Sequence, residues 1–327
     1  FKITVMQTRK LGYSELYLTT IGLGTWAMGG GDWKFGWGPQ DDMASVKAIH
    51  AALDLGINWI DTAAIYGHGH AEEVVGRAIK GIRDEVIIAT KCGRVWEGDS
   101  REIGKSLRTQ SIKREVEASL KRLDIETIDL YQIHWPEPDE EIEEGWAAMA
   151  QLVKEGKVRY VGVSNFNLEQ LKRAQAIHPI TSLQPPYSMF RREIEEEIMP
   201  YCNTNEIGII AYSPMQAGLL TGKFTKERAM SLPDSDWRSK HPFFREPQLG
   251  VNLETIKRLN QIAIEENISL SQLSLAWVLR NKEMTSAIVG ARNPEQIEET
   301  AKASELKLTG TNIEAIEKIL DWRIKNL

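Results

Sequence analysis

Short, nearly continuous apolar runs alternate with amphipathic stretches of helical period almost from end to end of this chain. The runs cover residues 20–23, 57–60, 86–89, 128–133, 158–163, 181–184, 207–211 and 286–289. Strands buried on both faces, as in parallel sheets, show such unbroken runs rather than alternation. Between them the period lengthens: Met43, Val46, Ile49 and Leu53 fall on one helical face, as do Ile112, Val116, Leu120 and Leu123. Asp41 and Ser111 are the expected N-caps of these two helices. Residues 6–11 and 16–19, joined by Gly12-Tyr13-Ser14-Glu15, predict a β-hairpin ahead of the first barrel strand, placed to plug its closed end. Eight strand–helix units with no break in composition predict a (β/α)8 TIM barrel, with an open doubly wound sheet as the competing architecture.

Two regions interrupt the rhythm. Residues 223–250 are polar and punctuated by Pro233, Pro242 and Pro247, which predicts an excursion outside the core after the seventh strand. Helical patterns at 253–266 and 271–281 then precede the eighth strand, and 312–325 closes the chain, so extra C-terminal helices are expected.

Composition narrows the class. The 327 residues, 42% hydrophobic and 26% charged, suit one large globular domain over 1–327. A net charge of -6 without a polybasic run leaves no electrostatic reason to expect nucleic acid or an anionic membrane surface as partner. The first twenty residues carry Lys2, Arg9 and Lys10 and no continuous apolar stretch, so neither a signal peptide nor a spanning segment is expected. Cys92 and Cys202 are too few for a disulfide framework, which makes a reducing cytoplasm the expected home.

Candidate chemistry gathers at one rim. Asp61, Tyr66, Lys91 and His134 sit at or just past the ends of three consecutive predicted strands, and barrels collect catalytic groups at that end. Each has an ordinary structural role when taken alone: a strand-end cap, a packing ring, a solvated terminus, a satisfied histidine. Together they form an acid–base set. A phenol is a poor proton donor at neutral pH unless a cation favours its phenolate, and Lys91 is the expected cation. A buried ammonium needs an anion, which Asp61 offers from the neighbouring strand. His134 is placed to hold a carbonyl oxygen near Tyr66.

The run Gly56-Ile-Asn-Trp-Ile-Asp61-Thr62-Ala63-Ala64-Ile65-Tyr66-Gly67, then Glu72-Glu73-Val74-Val75-Gly76, Lys91, Gln132-Ile133-His134-Trp135 and Gly162-Val163-Ser164-Asn165-Phe166, resembles the aldo-keto reductase superfamily. The likeness spans nearly the whole chain. It is nearest to bacterial NADPH-dependent members, which share Gly22-Leu23-Gly24-Thr25-Trp26, Gln184-Pro185-Pro186-Tyr187, Gly218-Leu219-Leu220-Thr221-Gly222-Lys223 and Gly290-Ala291-Arg292. The resemblance implies carbonyl reduction by hydride transfer from a nicotinamide dinucleotide, with Tyr66 as general acid. It places Ser164, Asn165 and Gln184 at the nicotinamide carboxamide and Tyr212 against the ring. Gly24, Thr25, Trp26, Ser213, Pro214, Gly218, Leu220, Gly222, Lys223 and Gly290 would line the rest of the cofactor. Arg292 and Gln296, ahead of a helix beginning near Pro294, fall at the adenosine ribose, so NADPH is expected over NADH, with NADH a weaker alternative. Family members commonly have a basic residue at the Gln296 position and Asn at that of Thr300, so the preference is expected to be modest.

Two motifs point elsewhere and are set aside. Gly22-Leu-Gly24-Thr-Trp-Ala27 satisfies a dinucleotide fingerprint, but Gly29-Gly30-Gly31-Asp32 follows where its helix should open; it reads as an active-site loop. His68-Gly69-His70 resembles a metal pair, yet His50, His178 and His241 do not lie at strand ends to complete a site, so no metal is expected. The substrate is expected to be a small carbonyl compound in an aromatic pocket drawing on Trp33, Trp96 and Trp135, with Trp26, Phe35, Trp37, Trp237, Phe243 and Phe244 as further candidates. Two other readings remain: a barrel lyase using Lys91 as a Schiff-base nucleophile, and a cofactor-binding auxiliary protein of the same fold, as among ion-channel subunits.

Overall fold

All eight apolar runs become strands, and each pairs in parallel with the neighbours that follow and precede it in the chain until the eighth closes on the first. The computed structural model describes residues 6–327 except 32, 34, 97, 99–101 and 235. Lys2 and Asp32, used above, lie outside the described residues. The strands are β1 (Ile21–Gly24), β2 (Trp59–Asp61), β3 (Ile87–Cys92), β4 (Ile128–Ile133), β5 (Val158–Ser164), β6 (Ser182–Gln184), β7 (Gly208–Ala211) and β8 (Met284–Gly290). The outer helices are α1 (Asp42–Asp54), α2 (His70–Ala78), α3 (Thr109–Leu123), α4 (Ile142–Lys154), α5 (Leu168–Gln175) and α6 (Ile198–Thr204). Then come α7 (Lys226–Met230), α8 (Gln248–Glu265), α9 (Leu270–Leu279), α10 (Pro294–Ala301) and α11 (Gly310–Asn326). Among the described residues no helix is long and apolar enough to cross a membrane.

The expected hairpin pairs Thr8–Lys10 with Tyr17–Thr19 and does close one end. Its Leu11, Leu16 and Leu18 are buried against Trp59, Ala89, Leu130, Ile210 and Ile288 inside the barrel. Trp59 fills this interior, and its Nε1 donates to the Thr19 carbonyl and Ser286 Oγ, each at 3.2 Å. The indole explains the glycines of the apparent dinucleotide fingerprint. A Cβ on Gly22 would lie 2.0 Å from the Trp59 ring, and one on Gly24 would lie 2.7 Å from Ile288 Cγ2. These glycines make room for core side chains. Gly22→Ala is therefore expected to cost about 1–3 kcal/mol through overpacking, read as a lowered denaturant midpoint. An unchanged midpoint would mean the interior yields freely.

Three local expectations are corrected. Asp41 does cap α1, its Oδ1 accepting from the Ala44 amide at 2.7 Å, but the buried face is Ser45, Ala48, Ile49 and Ala52 while Met43 is 64% exposed. The helix turns its small residues inward, where close approach to α2 and α10 requires short side chains. Ser111 is not an N-cap: α3 begins at Thr109, and Ser111 Oγ donates to Glu115 Oε1 at 3.0 Å within the helix. The amides before and at the start of α3, Leu107 and Thr109, instead donate to Glu141 and Glu144 from the next unit, at 2.7 and 2.8 Å. That cap is supplied in space, so local sequence does not display it. Finally, the 223–250 excursion is partly core. Phe224 and Phe244 are buried with ring centroids 5.0 Å apart, and Arg238 pairs with Asp236 at 2.6 Å while lying over Trp37.

Candidate active site

Strand register assembles the four rim residues. Asp61 ends β2, and Lys91 lies within β3, paired with Gln132 of β4 rather than following its strand. His134 follows β4 directly, its amide donating to the Cys92 carbonyl at 3.0 Å. Tyr66 hangs from the turn after β2, whose position depends on backbone contact with the loop after β1. Gly67 has φ +64, and a Cβ there would meet the Gly29 oxygen at 2.1 Å, so the two loops touch directly beneath Tyr66. All four side chains are buried.

Lys91 Nζ donates to both Asp61 oxygens at 2.8 and 2.7 Å and to the Thr62 carbonyl at 2.8 Å; the Tyr66 hydroxyl lies at 3.4 Å. Three acceptors saturate an ammonium's three N–H groups, so Tyr66 feels the cation mainly through its field. Gln184 Nε2 gives Asp61 Oδ1 a further hydrogen bond at 2.8 Å. Burial and then the Asp61 charge push the Tyr66 phenol well above its ordinary value. In this state the Asp61 carboxylate balances the Lys91 charge beside the phenol. Burial also lowers the Lys91 ammonium, with Asp61 opposing that shift. His134 is held well below the usual histidine range by burial, then by Lys91 and Arg94, so it is a neutral ring at neutral pH.

Aromatic rings wall this centre. Trp26 and Trp33 lie 5.2 and 5.9 Å from the Tyr66 ring, and the His134 ring lies 5.8 Å away on an edge. Trp26, expected both along the cofactor and among the pocket aromatics, stands in this wall, with its Nε1 donating to the Phe35 carbonyl at 3.0 Å. Trp135 is 39% exposed beneath Arg94, and Trp96 packs edge-on with His68 and under Arg122. Trp237, Phe243 and Phe244 pack around His241 in the excursion. Histidine His70 places Nε2 2.8 Å from Asp42 Oδ1; among the described residues no cluster of His, Cys, Asp and Glu could hold a metal.

A second polar track leaves the centre across β5, β6 and β7. Tyr212 OH donates to Asn165 Oδ1 at 2.9 Å, and Asn165 Nδ2 donates to the His134 carbonyl at 3.0 Å. Ser164 Oγ donates to the Gln184 carbonyl at 2.8 Å. The loop after β7 is unusually contorted: Ser213, Gly218 and Gly222 have φ of 52, 90 and 73°, while Pro214 and Leu220 are buried. Lys223 ties this loop to α10 through Glu299 at 3.1 Å. A Cβ on Gly218 or Gly290 would meet nothing within 4 Å, which leaves backbone open beside the track. Thr25 donates from its amide and its Oγ1 to the Asp61 carbonyl, fixing β1 to β2 at 3.0 and 3.1 Å. Beyond β8, the Arg292 amide donates to Gln296 Oε1 at 2.8 Å, and its guanidinium reaches Gln40. Amide and hydroxyl groups near the centre, open glycine backbone along the loop and a guanidinium at the far end fit a nicotinamide dinucleotide chemically. The Thr62 carbonyl beside Lys91 and the Gln40 side chain on Arg292 are contacts that sequence reasoning missed. Neither a backbone oxygen nor one loop glutamine carries a pattern that could have revealed it.

Comparison with known proteins agrees with this architecture. The Aldo/keto reductase family model matches residues 20–321. The chain is 39% identical to the aldo-keto reductase YhdN of Bacillus subtilis (strain 168), over 98% of this chain and 96% of that one. It is 35% identical to an NADH-specific methylglyoxal reductase of Escherichia coli (strain K12), covering 93% and 95% of the two chains. A solved glycerol dehydrogenase from Gluconobacter oxydans superposes with a TM-score of 0.89 at 37% identity, covering 98% and 97%.

Proposed function

The chain belongs to the aldo/keto reductase family, and from that premise we propose that it reduces aldehydes or ketones to alcohols with NADPH, using Tyr66 as the proton donor. The observation that carries this reading is the convergence of the Tyr66 hydroxyl, the Lys91–Asp61 pair and a neutral His134 ring at one buried point. When bound, the nicotinamide supplies hydride to the carbonyl carbon. Tyr66 then passes its hydroxyl proton to the carbonyl oxygen as negative charge develops there, so the C=O becomes CH–OH and the phenolate regains a proton from solvent. A phenol is protonated at neutral pH, so Tyr66 carries the proton to be given when that charge appears. Lys91 meets the phenolate with its field, and Asp61 and the Thr62 carbonyl keep the ammonium oriented. Neutral His134 offers one N–H to the same substrate oxygen without competing as an acid. Trp26 and Trp33 shield Tyr66 from bulk water.

The Schiff-base alternative needs a free neutral amine, whereas Lys91 is enclosed by three oxygen acceptors. Oxidation of NADPH followed optically against a panel of aldehydes, ketones and sugars tests the proposal, with absence of any turnover counting against it. Relatives named for methylglyoxal and glycerol put small oxygenated carbonyl compounds first in that panel.

Arg292 carries the proposed preference for NADPH, because a guanidinium suits a ribose 2′-phosphate and has no comparable partner on a hydroxyl. Arg292→Ala is expected to raise KM for NADPH by about ten- to a hundredfold, the loss of one charged hydrogen-bonded contact, and to leave NADH nearly unchanged. Unmodified protein with a lower KM for NADH than for NADPH would refute this role.

A further inference from the structure

One polar side chain from the opposite end of the sequence grips Arg292. Gln40 lies just before the N-cap of α1, yet its Oε1 accepts from Arg292 Nε at 2.6 Å. Its Nε2 donates to the Arg292 carbonyl at 3.0 Å and to Ser45 Oγ at 3.1 Å. The same glutamine therefore holds both the main chain and the guanidinium of one residue. The neighbouring Pro39 carbonyl accepts from Arg292 Nη2, and Gln296 Oε1 holds the Arg292 amide. Ser45 is fully buried on α1, so the grip is anchored to a packed helix rather than to a free loop.

An unrestrained arginine must give up rotamer freedom to meet a phosphate, and a guanidinium already held in place gives up less. We propose that Gln40 is a specificity-determining positioning residue: by clamping Arg292 it sets discrimination between a phosphate and a hydroxyl at the ribose 2′ position. This rests on the reading above that Arg292 faces that position. Nothing in the clamp distinguishes dinucleotides lacking the phosphate, so its effect is confined to NADPH and to fragments carrying a 2′-phosphate.

Direct binding tests it without turnover. Dissociation constants for NADPH, NADH, 2′-AMP and 5′-AMP are measured by quenching of tryptophan fluorescence for the unmodified protein, Gln40→Ala, Arg292→Ala and the double variant. Gln40→Ala is expected to weaken NADPH and 2′-AMP by about three- to tenfold, the freedom of one long side chain, with NADH and 5′-AMP within about twofold. In the Arg292→Ala background the Gln40 substitution should change nothing further. Gln40→Glu keeps an acceptor for Nε but adds a negative charge beside the phosphate, so it should lose more NADPH affinity than Gln40→Ala. Equal weakening of all four ligands by Gln40→Ala, or a full Gln40 effect without Arg292, overturns the proposal as a mere loop defect. If Arg292→Ala weakens NADPH while Gln40→Ala does not, the positioning role alone fails. If Arg292→Ala leaves NADPH unchanged, the underlying reading of Arg292 fails instead.

Discussion

Tyr66→Phe is expected to lower kcat for carbonyl reduction by about a hundred- to ten-thousandfold, the usual contribution of a positioned general acid, while dinucleotide affinity stays within about twofold. The ring that packs against Trp26, Trp33 and His134 is retained, and among the described residues the hydroxyl contact removed is the 3.4 Å approach to Lys91. Stability should therefore change by less than about 1 kcal/mol. The variant isolates the proton from the packing. Single-turnover oxidation of bound NADPH with saturating aldehyde reads the chemical step directly. A rate close to that of the unmodified protein would mean that another group delivers the proton, and the assignment of Tyr66 would be lost.

Lys91→Met should remove activity as well, and it should also destabilise the fold by about 3–5 kcal/mol, because Asp61 would be left as an uncompensated buried charge. Among the described residues, Gln184 alone would remain to donate to its carboxylate from a side chain. Replacing both partners, Lys91→Met with Asp61→Leu, removes the charge along with its partner and should restore most of the lost stability without restoring catalysis. Urea denaturation of the single and double variants beside their turnover separates the two roles. A single variant as stable as the unmodified protein would contradict the burial argument. Recovery of turnover in the double variant would contradict the role of Lys91 in the reaction.

Much of the barrel was legible because each strand had to be apolar on both faces and each helix on one, which leaves a visible alternation of periods. The hairpin plug was legible from its turn, Gly12-Tyr13-Ser14-Glu15 between two short segments, whose Leu11, Leu16 and Leu18 end up inside the barrel. The rim set was legible because strand ends in this architecture point one way, so Asp61, Lys91 and His134 could be grouped without coordinates. Where the reading failed, the deciding partner was remote. Ser111 looked like a cap because local sequence could not show Glu141 and Glu144 arriving from the next unit. The 223–250 stretch looked like a polar excursion outside the core, yet Phe224, Phe244 and the Asp236–Arg238 pair bury parts of it.

By itself, the order of apolar and polar residues determined a closed parallel barrel and brought a phenol, an ammonium, a carboxylate and an imidazole to one rim. Only the tertiary structure decided how those groups share their charges. Whether Lys91 spends its three N–H groups on Tyr66 or on Asp61 and the Thr62 carbonyl depends on distances of a few ångströms across two strands, set by ladder register and by the Gly29–Gly67 contact. The grip of Gln40 on Arg292, 252 positions apart, likewise exists only because the barrel closes β8 onto β1 and brings the first and last loops of the rim side by side.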